Sequence, residues 1–243
     1  MMLKLDLHVH SDRSPDGRSN ISEIIKAAEA KGLDGIALSD HDLLSEGKNG
    51  NLIIIPACEC STTDGHILGY FLLDLPTVLK GQSGRLPSAK EAIDEIHRLG
   101  GLAVWAHPYE KAVNISQEMA SMADGIEAAN SRACFKNRNA NIMAQKLAQT
   151  LGKPSYGGSD AHHKSEVGNA FTLLYCKCKN LDSIKEALFS GQGEAVFVVN
   201  TRRVKKGLSQ LCKCKKSKVS FIRIIKAYFY IIYCLILDLV KGW

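Results

Sequence analysis

The sequence predicts an α/β protein, a β/α barrel that ends in a basic, apolar tail. Short apolar runs alternate with segments of helical periodicity over the first 199 residues. His8 with His10, His41, Glu59, His107, and Asp160 with His162 each stand at or just beyond the end of a different apolar run. In a barrel such ends converge on one rim, whereas an open sheet gathers ligands at a single switch point and focuses five or more strand ends less readily.

Taken in order, Leu3, Leu5, Leu7 and Val9 alternate with Asp6, His8 and His10, which places the apolar set on one face of a strand and the polar set on the other. Asn20-Ile21-Ser22-Glu23 has the spacing of a capping box, and Ile21, Ile24, Ile25 and Ala28 then recur at helical spacing until Gly32. Gly35 to Ser39 is the next strand. Leu52 to Cys58, His66 to Leu73, Leu102 to Trp105, Gly125 to Ala129, Ser155 to Gly157 and Ala170 to Tyr175 are further apolar runs. Ser88 to Leu99, Asn137 to Leu151 and Leu181 to Phe189 fit helices. The alternation predicts mainly parallel pairing. No internal repeat is present.

A chain of 243 residues, 45% hydrophobic and 23% charged, is neither collagen-like nor mostly disordered, and is long enough to bury a core. Its net charge of +6 is unevenly placed. Residues 1–194 carry 20 Lys and Arg against 24 acids, whereas residues 195–243 carry 11 against one, Asp238. A uniform nucleic-acid-binding surface is thereby excluded, and an anionic partner would meet the tail. Residues 1–199 are expected to form the barrel, and residues 200–243 a basic segment followed by a hydrophobic tail helix. No charged segment followed by an apolar stretch opens the sequence, which predicts a cytoplasmic protein. The eight cysteines include the pairs Cys58/Cys60, Cys176/Cys178 and Cys212/Cys214 but no pair at zinc-ribbon spacing. Burial is the expected state of a Cys-x-Cys pair on a strand. Cys212 and Cys214, in a Lys-rich and exposed stretch, would favour thiolate.

His8 and His10 fall side by side and suit one ion. Imidazole mixed with carboxylate suits Zn, Mn or Fe, and a carboxylate such as Glu59 can bridge two ions, an arrangement that performs hydrolytic phosphoryl chemistry. Asp16 could equally serve the Pro15-Asp16-Gly17 turn. Asp40 and Asp42, flanking His41, read either as acceptors that orient imidazoles or as solvated acids. His97 and His163 read as exposed.

The segments His8-Val9-His10-Ser11-Asp12-Arg13-Ser14-Pro15-Asp16-Gly17, Ser39-Asp40-His41-Asp42, Glu59, Gly65-His66-Ile67-Leu68-Gly69-Tyr70, Ala106-His107-Pro108 and Gly158-Ser159-Asp160-Ala161-His162 closely resemble the PHP (polymerase and histidinol phosphatase) family. The resemblance implies a distorted seven-stranded β/α (TIM-like) barrel with three divalent metal ions, Mn, Fe or Zn. By position, His8, His10, Glu59 and Asp160 would hold the first ion. Glu59, His66 and His107 would hold the second, and Asp16, His41 and His162 the third. The implied activity is hydrolysis of phosphate esters by metal-activated water, with Glu59, His107, Asp160 and His162 carrying the chemistry. Members with aspartate at the Asp16 position resemble phosphoesterases of nucleotides or oligonucleotides. A histidinol-phosphatase-like enzyme and a non-catalytic metal-binding or membrane-recruiting module are the alternatives.

A substrate phosphate needs fixed cations. Arg132, Lys136 and Arg138 follow a strand toward the ligand-bearing rim and are the candidates for substrate binding, unless they simply form the solvated start of the next helix. Arg13 and Arg18 are comparable candidates. In the tail, eight basic residues and no acid lie between Thr201 and Lys218. The uncharged run Ala227 to Leu237 is 11 residues, short of the roughly 20 that span a bilayer. Tyr228, Tyr230, Tyr233 and Trp243 suit a membrane interface. The expectation is peripheral contact with membrane, ahead of a helix docked on the barrel or a second subunit, and ahead of a true span. No obligate protein partner is indicated.

Overall fold

β1 (Met2–Val9) leads through a loop into α1 (Ile21–Ala30), then β2 (Gly35–Leu38), β3 (Ile53–Thr62), β4 (Gly65–Tyr70) and α2 (Ala89–Arg98). β5 (Leu102–Trp105), α3 (Gln117–Met122), β6 (Gly125–Asn130), α4 (Ala140–Leu151), β7 (Ser155–Gly158) and β8 (Ala170–Tyr175) follow. α5 (Leu181–Phe189), β9 (Gly193–Phe197), α6 (Arg203–Lys216) and α7 (Phe221–Val240) complete the chain. This computed structural model describes residues 1–47, 50–79, 85–110 and 115–240. Trp243 lies outside them.

The strands form one sheet in the order β7-β6-β5-β4-β3-β2-β1-β8-β9, curled into a nearly closed barrel. The fold is the expected α/β barrel, with nine strands where seven were expected. The excess arises on the β1 side, where β8 pairs antiparallel with β1 and β9 with β8. β9 is only partly buried and shows no period-two pattern, so nothing in its sequence marks it as a strand.

Two departures from the expected pairing place the site. First, β3 and β4 pair antiparallel, as do β4 and β5. Only Thr63 and Asp64 separate β3 from β4, far too few for a parallel crossover. β4 therefore runs backwards, and its first residues, including His66, reach the rim that β1, β2, β3, β5 and β7 reach with their last. Second, β1 does not keep one alternation. Asp6 pairs with Ile36 and Val9 with Leu38, so β1 carries one extra residue, a bulge. Leu3, Leu5 and Leu7 pack in the barrel interior, but Val9 packs beneath α1 with Ile24 and Ala28. The expected common face of Leu3 to Val9 is corrected accordingly, and the bulge re-aims His8 and His10.

Closure depends on two glycines. A Cβ on Gly157 would stand 2.4 Å from the Phe171 carbonyl oxygen, and one on Gly158 would stand 2.4 Å from His8 Cβ. With no side chain there, Gly157 N donates to Thr172 Oγ1 (2.8 Å), Ser159 N to Asp6 Oδ1 (2.8 Å), and His10 N to the Ala161 carbonyl (2.8 Å). Ile53, Ile55, Ala57, Leu68, Tyr70, Val104 and Tyr156 fill the interior. Cys58, Cys60, Ile67, Trp105 and Ile126 face outward onto α2 and α4.

The expected capping box holds for α1, and α2 has one too: Asn20 and Ser88 accept from Glu23 N and Glu91 N, and each glutamate returns the bond. α4 begins three residues later than expected, because Asn137 Oδ1 accepts from Asn139 N and holds a turn there.

Residues 203–216 and 221–240 are helical, and α6 lies on the barrel. Lys216 Nζ donates to the carbonyls of Asp12, Ser14 and Gly17 (2.6–2.9 Å), so one ammonium uses three donors on one loop. Asp238 of α7 accepts from Arg203 N (3.1 Å) and Val204 N (3.0 Å), a carboxylate cap on the N-terminus of α6. Asp238→Ala is expected to cost about 1 kcal/mol of stability, read as a lower urea midpoint at unchanged slope. Cys214 is buried between α6 and α7, which corrects its expected exposure. Cys178 is exposed, lying beyond the end of β8 instead of on a strand.

Candidate metal centre

Seven segments bring nine side chains of ligand type to one rim. His8 and His10 end β1, Asp16 lies in the following loop, His41 follows β2, Glu59 lies in β3, His66 opens β4, His107 follows β5, and Asp160 and His162 follow β7. The β3–β4 register sets Ser61 opposite His66, so Glu59 and His66 share a face as diagonal neighbours. His107 (φ 25°) and Asp160 (φ 54°) adopt left-handed backbone conformations that cost non-glycine residues about 1–3 kcal/mol each. For His107 the turn is held by its N–H, which donates to Glu127 Oε2 (2.8 Å).

Glu59, 1% exposed, is the hub. Its Oε1 lies 2.8 Å from His66 Nδ1 and 3.0 Å from His107 Nε2. Its Oε2 lies 3.0 Å from His41 Nδ1, 3.2 Å from His10 Nε2 and 3.5 Å from His8 Nε2. Asp160 Oδ1 is 3.4 Å from His10 Nε2 and 3.7 Å from His8 Nε2, and those two nitrogens are 3.1 Å apart. Asp16 reaches His162 Nε2 (3.4 Å) and His41 Nε2 (3.8 Å), so it faces the site as well as forming its turn.

The donors fit a cation. Glu127 Oε1 engages His8 Nδ1 (2.9 Å) and Ser14 Oγ engages His10 Nδ1 (3.1 Å), which assigns the ring protons outward and turns both Nε2 lone pairs toward each other. Two facing lone pairs and two carboxylate oxygens repel unless a positive charge lies among them. Their separations of 3.1–3.7 Å match the edge of about 3.4 Å expected of a tetrahedron with metal–nitrogen bonds of about 2.0–2.1 Å. His41 Nδ1, His66 Nδ1 and Asp16 Oδ1 are buried without a hydrogen-bond partner. The first two lie near Glu59 but without hydrogen-bond geometry, as ligands of a shared ion would. His10 with His41 and His162, and Glu59 with His41 and His66, are further groups close enough to share an ion.

Charge in the site follows from burial and neighbours. Burial disfavours the Glu59 carboxylate, yet His66, His41 and His8 hold it well below the usual range. Asp160 is likewise held low, by His8, His10 and His162 against its burial. Burial, with Arg132 and His10 nearby, lowers His162 to about 4, leaving a neutral imidazole. His10 is pulled the other way: burial lowers it, but Asp160 and Glu59 prevail and raise it to about 9, so a proton on Nε2 supplies the positive charge these groups need wherever a cation does not.

Several residues that shape the site had not been singled out in the sequence. Glu127 orients His8 and the His107 backbone, and its only sequence signal is an acid inside the apolar run Gly125 to Ala129. Glu127→Gln is expected to weaken metal affinity about 10–100-fold, measured by competition with a chelator. Glu166 joins Arg18 (3.1 Å) and Arg132 (3.7 Å) behind His162. Asp40 is buried and accepts from Ser11 N (2.7 Å) and Ser11 Oγ (2.6 Å), while Asp42 accepts from Ser61 N (2.7 Å). These two acids therefore brace loops instead of orienting imidazoles, Asp40 fully buried and Asp42 half-buried. His97 is exposed and bonds Asp124, and the half-buried His163 bonds Ser165.

A cavity of about 120 Å³ opens above the cluster, walled by Glu110, Arg132 and, from α6, Lys206, Ser209 and Gln210. Arg132 thus lines the site, its Nη2 on Ser209 Oγ (3.2 Å). Lys136 and Arg138 do not line it. Lys136 is exposed, and Arg138 borders a separate cavity beside α4 and β9, because the turn after β6 carries both away from the rim. Lys206 pairs with Glu110, a contact 96 residues apart that no local pattern announces.

A β/α barrel whose rim gathers histidine and carboxylate donors around one buried glutamate is a metal-binding barrel. The PHP domain family matches residues 6–58 and the PHP-associated family residues 138–192. An uncharacterized protein of Methanocaldococcus jannaschii is 32% identical over 125 residues, covering 44% of this chain and 68% of that one. The chain belongs to the PHP domain family. Its fold is shared with a two-domain protein of Bacteroides vulgatus containing a predicted PHP-like metal-dependent phosphoesterase (TM-score 0.62, 22% identity, covering 82% of this chain and 65% of that one). It is shared also with the lesion-specific endonuclease EndoQ of Pyrococcus furiosus (TM-score 0.56, 19% identity, covering 80% and 58%). In both cases the chain spans less than two thirds of the other's length.

Proposed function

We propose that this protein is a metal-dependent hydrolase of phosphate esters, with nucleotides or oligonucleotides as the substrate class. The observation that carries the reading is the gathering of nine ligand-type side chains, five of them histidines around Glu59, beside a cavity whose wall also holds Arg132 and Lys206. His8, His10, Glu59 and Asp160 would hold one ion, Glu59, His66 and His107 a second, and Asp16, His41 and His162 a third. Divalent ions held there supply Lewis-acid activation of water and of the phosphoryl oxygens. Arg132 presents its guanidinium to the phosphate. Its buried Nε has no hydrogen-bond partner among the described residues, and the nearest carboxylate, on Glu166, is 3.7 Å away. Lys206 adds a second cation, and α6 screens the site from bulk water. At about 120 Å³ the cavity has room for a phosphoryl group, and its mouth is open to solvent, so the organic part of the ester can extend outward past α6. A like fold in an endonuclease is consistent with an oligonucleotide.

The test is a panel of nucleoside monophosphates, 5′-phosphorylated oligonucleotides and amino-alcohol phosphates, offered to Mn-, Fe- and Zn-loaded protein with elemental analysis of each sample. The nucleotide class is expected to turn over and to stop on chelation. Preference for amino-alcohol phosphates would favour the histidinol-phosphatase-like reading, and no turnover at full metal content would leave a binding module.

A further inference from the structure

α7 carries large apolar residues on the side turned away from its neighbour as well as on the side that packs. It faces α6 with Ala227 and Cys234, which are buried, with the partly buried Ile224 and Ile231, and with the Asp238 cap. By the 100° step of a helix, Phe221, Ile222, Ile225, Phe229, Ile232 and Ile236 fall together on the opposite face, and all are exposed. Leu239 and Val240 extend that stripe along the whole 20-residue helix. Packing on α6 thus covers one apolar face of α7 and leaves a second, of large apolar side chains, in contact with solvent, where a helix packed only on its neighbour carries polar residues.

Charge selects what covers it. Lys226 is exposed along one edge of the stripe, and Lys215 Nζ lies 5.8 Å from the ring of Tyr228 at the other. Lys213, Lys218 and Arg223 are exposed nearby, whereas the sole acid of the segment, Asp238, is consumed in capping α6. A second copy laid on this face would bring two cationic rims together. Nucleic acid would satisfy the cations but leave the apolar stripe in water. An anionic bilayer satisfies both, with acyl chains under the stripe and headgroups at its edges. The helix does not cross: no helix among the described residues is long and apolar enough to span a membrane.

We propose that α7 lies flat in the surface of a membrane containing anionic lipid and holds the barrel there through α6. The proposal stands apart from the catalytic reading, since none of these residues lines the metal cavity.

The experiment is sedimentation of the full chain with phosphatidylcholine vesicles, with and without phosphatidylserine. The protein is expected to pellet only with phosphatidylserine and to be released by salt. Lys215→Ala and Lys226→Ala should each weaken partitioning about fivefold. Phe229→Glu with Ile232→Glu should abolish it while circular dichroism and melting stay unchanged, since these side chains are 67% and 52% exposed. Absence of binding, equal binding to neutral vesicles, or undiminished binding of the glutamate variant would each overturn the proposal. A dimer in sedimentation equilibrium that the glutamate variant dissolves, without vesicle binding, would assign the face to a second copy.

Discussion

Glu59→Ala is expected to abolish hydrolysis while the barrel stays folded. The Glu59 oxygens lie between 2.8 and 3.5 Å from the nitrogens of five histidines, and no other carboxylate reaches all of them. Without it, two ions held as proposed would lose the anion they share, and their mutual repulsion would weaken both sites. The loss should exceed about 10³-fold in kcat/KM, more than removal of a single oxyanion-hole donor costs. Elemental analysis should show reduced metal, and far-ultraviolet circular dichroism should show an unchanged fold, because Glu59 contributes charge and not core packing. A variant with near-normal turnover and full metal content would place the chemistry elsewhere.

The second large effect is on stability. Gly158→Ala would set a methyl 2.4 Å from His8 Cβ, 2.6 Å from His8 N and 3.0 Å from Glu127 Oε1. Two of these atoms belong to the β1 main chain and its first side-chain carbon, so no rotamer change relieves the overlap. Relief requires β7 to move off β1, which breaks the contacts of Ser159 N with Asp6 and of His10 N with Ala161 that join the two strands. The expected cost is about 3 kcal/mol or more, a fall in Tm on the order of 10 °C for a chain of this size, with weakened metal binding because His8 is displaced. Gly50→Ala is the control. Nothing lies within 4 Å of the added carbon, and its effect should stay within about 0.5 kcal/mol. A Gly158→Ala protein as stable as the Gly50→Ala control would show that the β1–β7 seam yields more easily than these contacts imply.

Much of the fold was legible because its signals are local. The capping box at Asn20, the strands Leu102–Trp105 and Ala170–Tyr175 and the helix Leu181–Phe189 depend on spacing within one element, and the structure places them where periodicity does. The histidines and acids at strand ends were legible as a group for the same reason, since polar residues closing apolar runs need no partner to be noticed. What stayed hidden depends on where the chain returns. The reversed direction of β4 was written in a two-residue connection, and the bulge in β1 only in its pairing with β2. The dispersal of the three expected phosphate-binding cations, with Arg132 in the cavity and Lys136 and Arg138 away from it, turns on the geometry of one loop.

By itself, then, the sequence determined the alternation of elements, the caps, the class of chemistry at the rim and the charge imbalance between barrel and tail. These are properties of residue type and short spacing, which the chain carries in any conformation. Only the tertiary structure decided which atoms meet. It set Glu127 behind His8, Lys206 of the tail against Glu110, Asp238 on the start of α6, and the apolar stripe of α7 outward. Each of those outcomes joins residues tens of positions apart or selects one side of a helix. Both are settled by how the sheet curls and closes, at glycines too small to keep β1 and β7 apart.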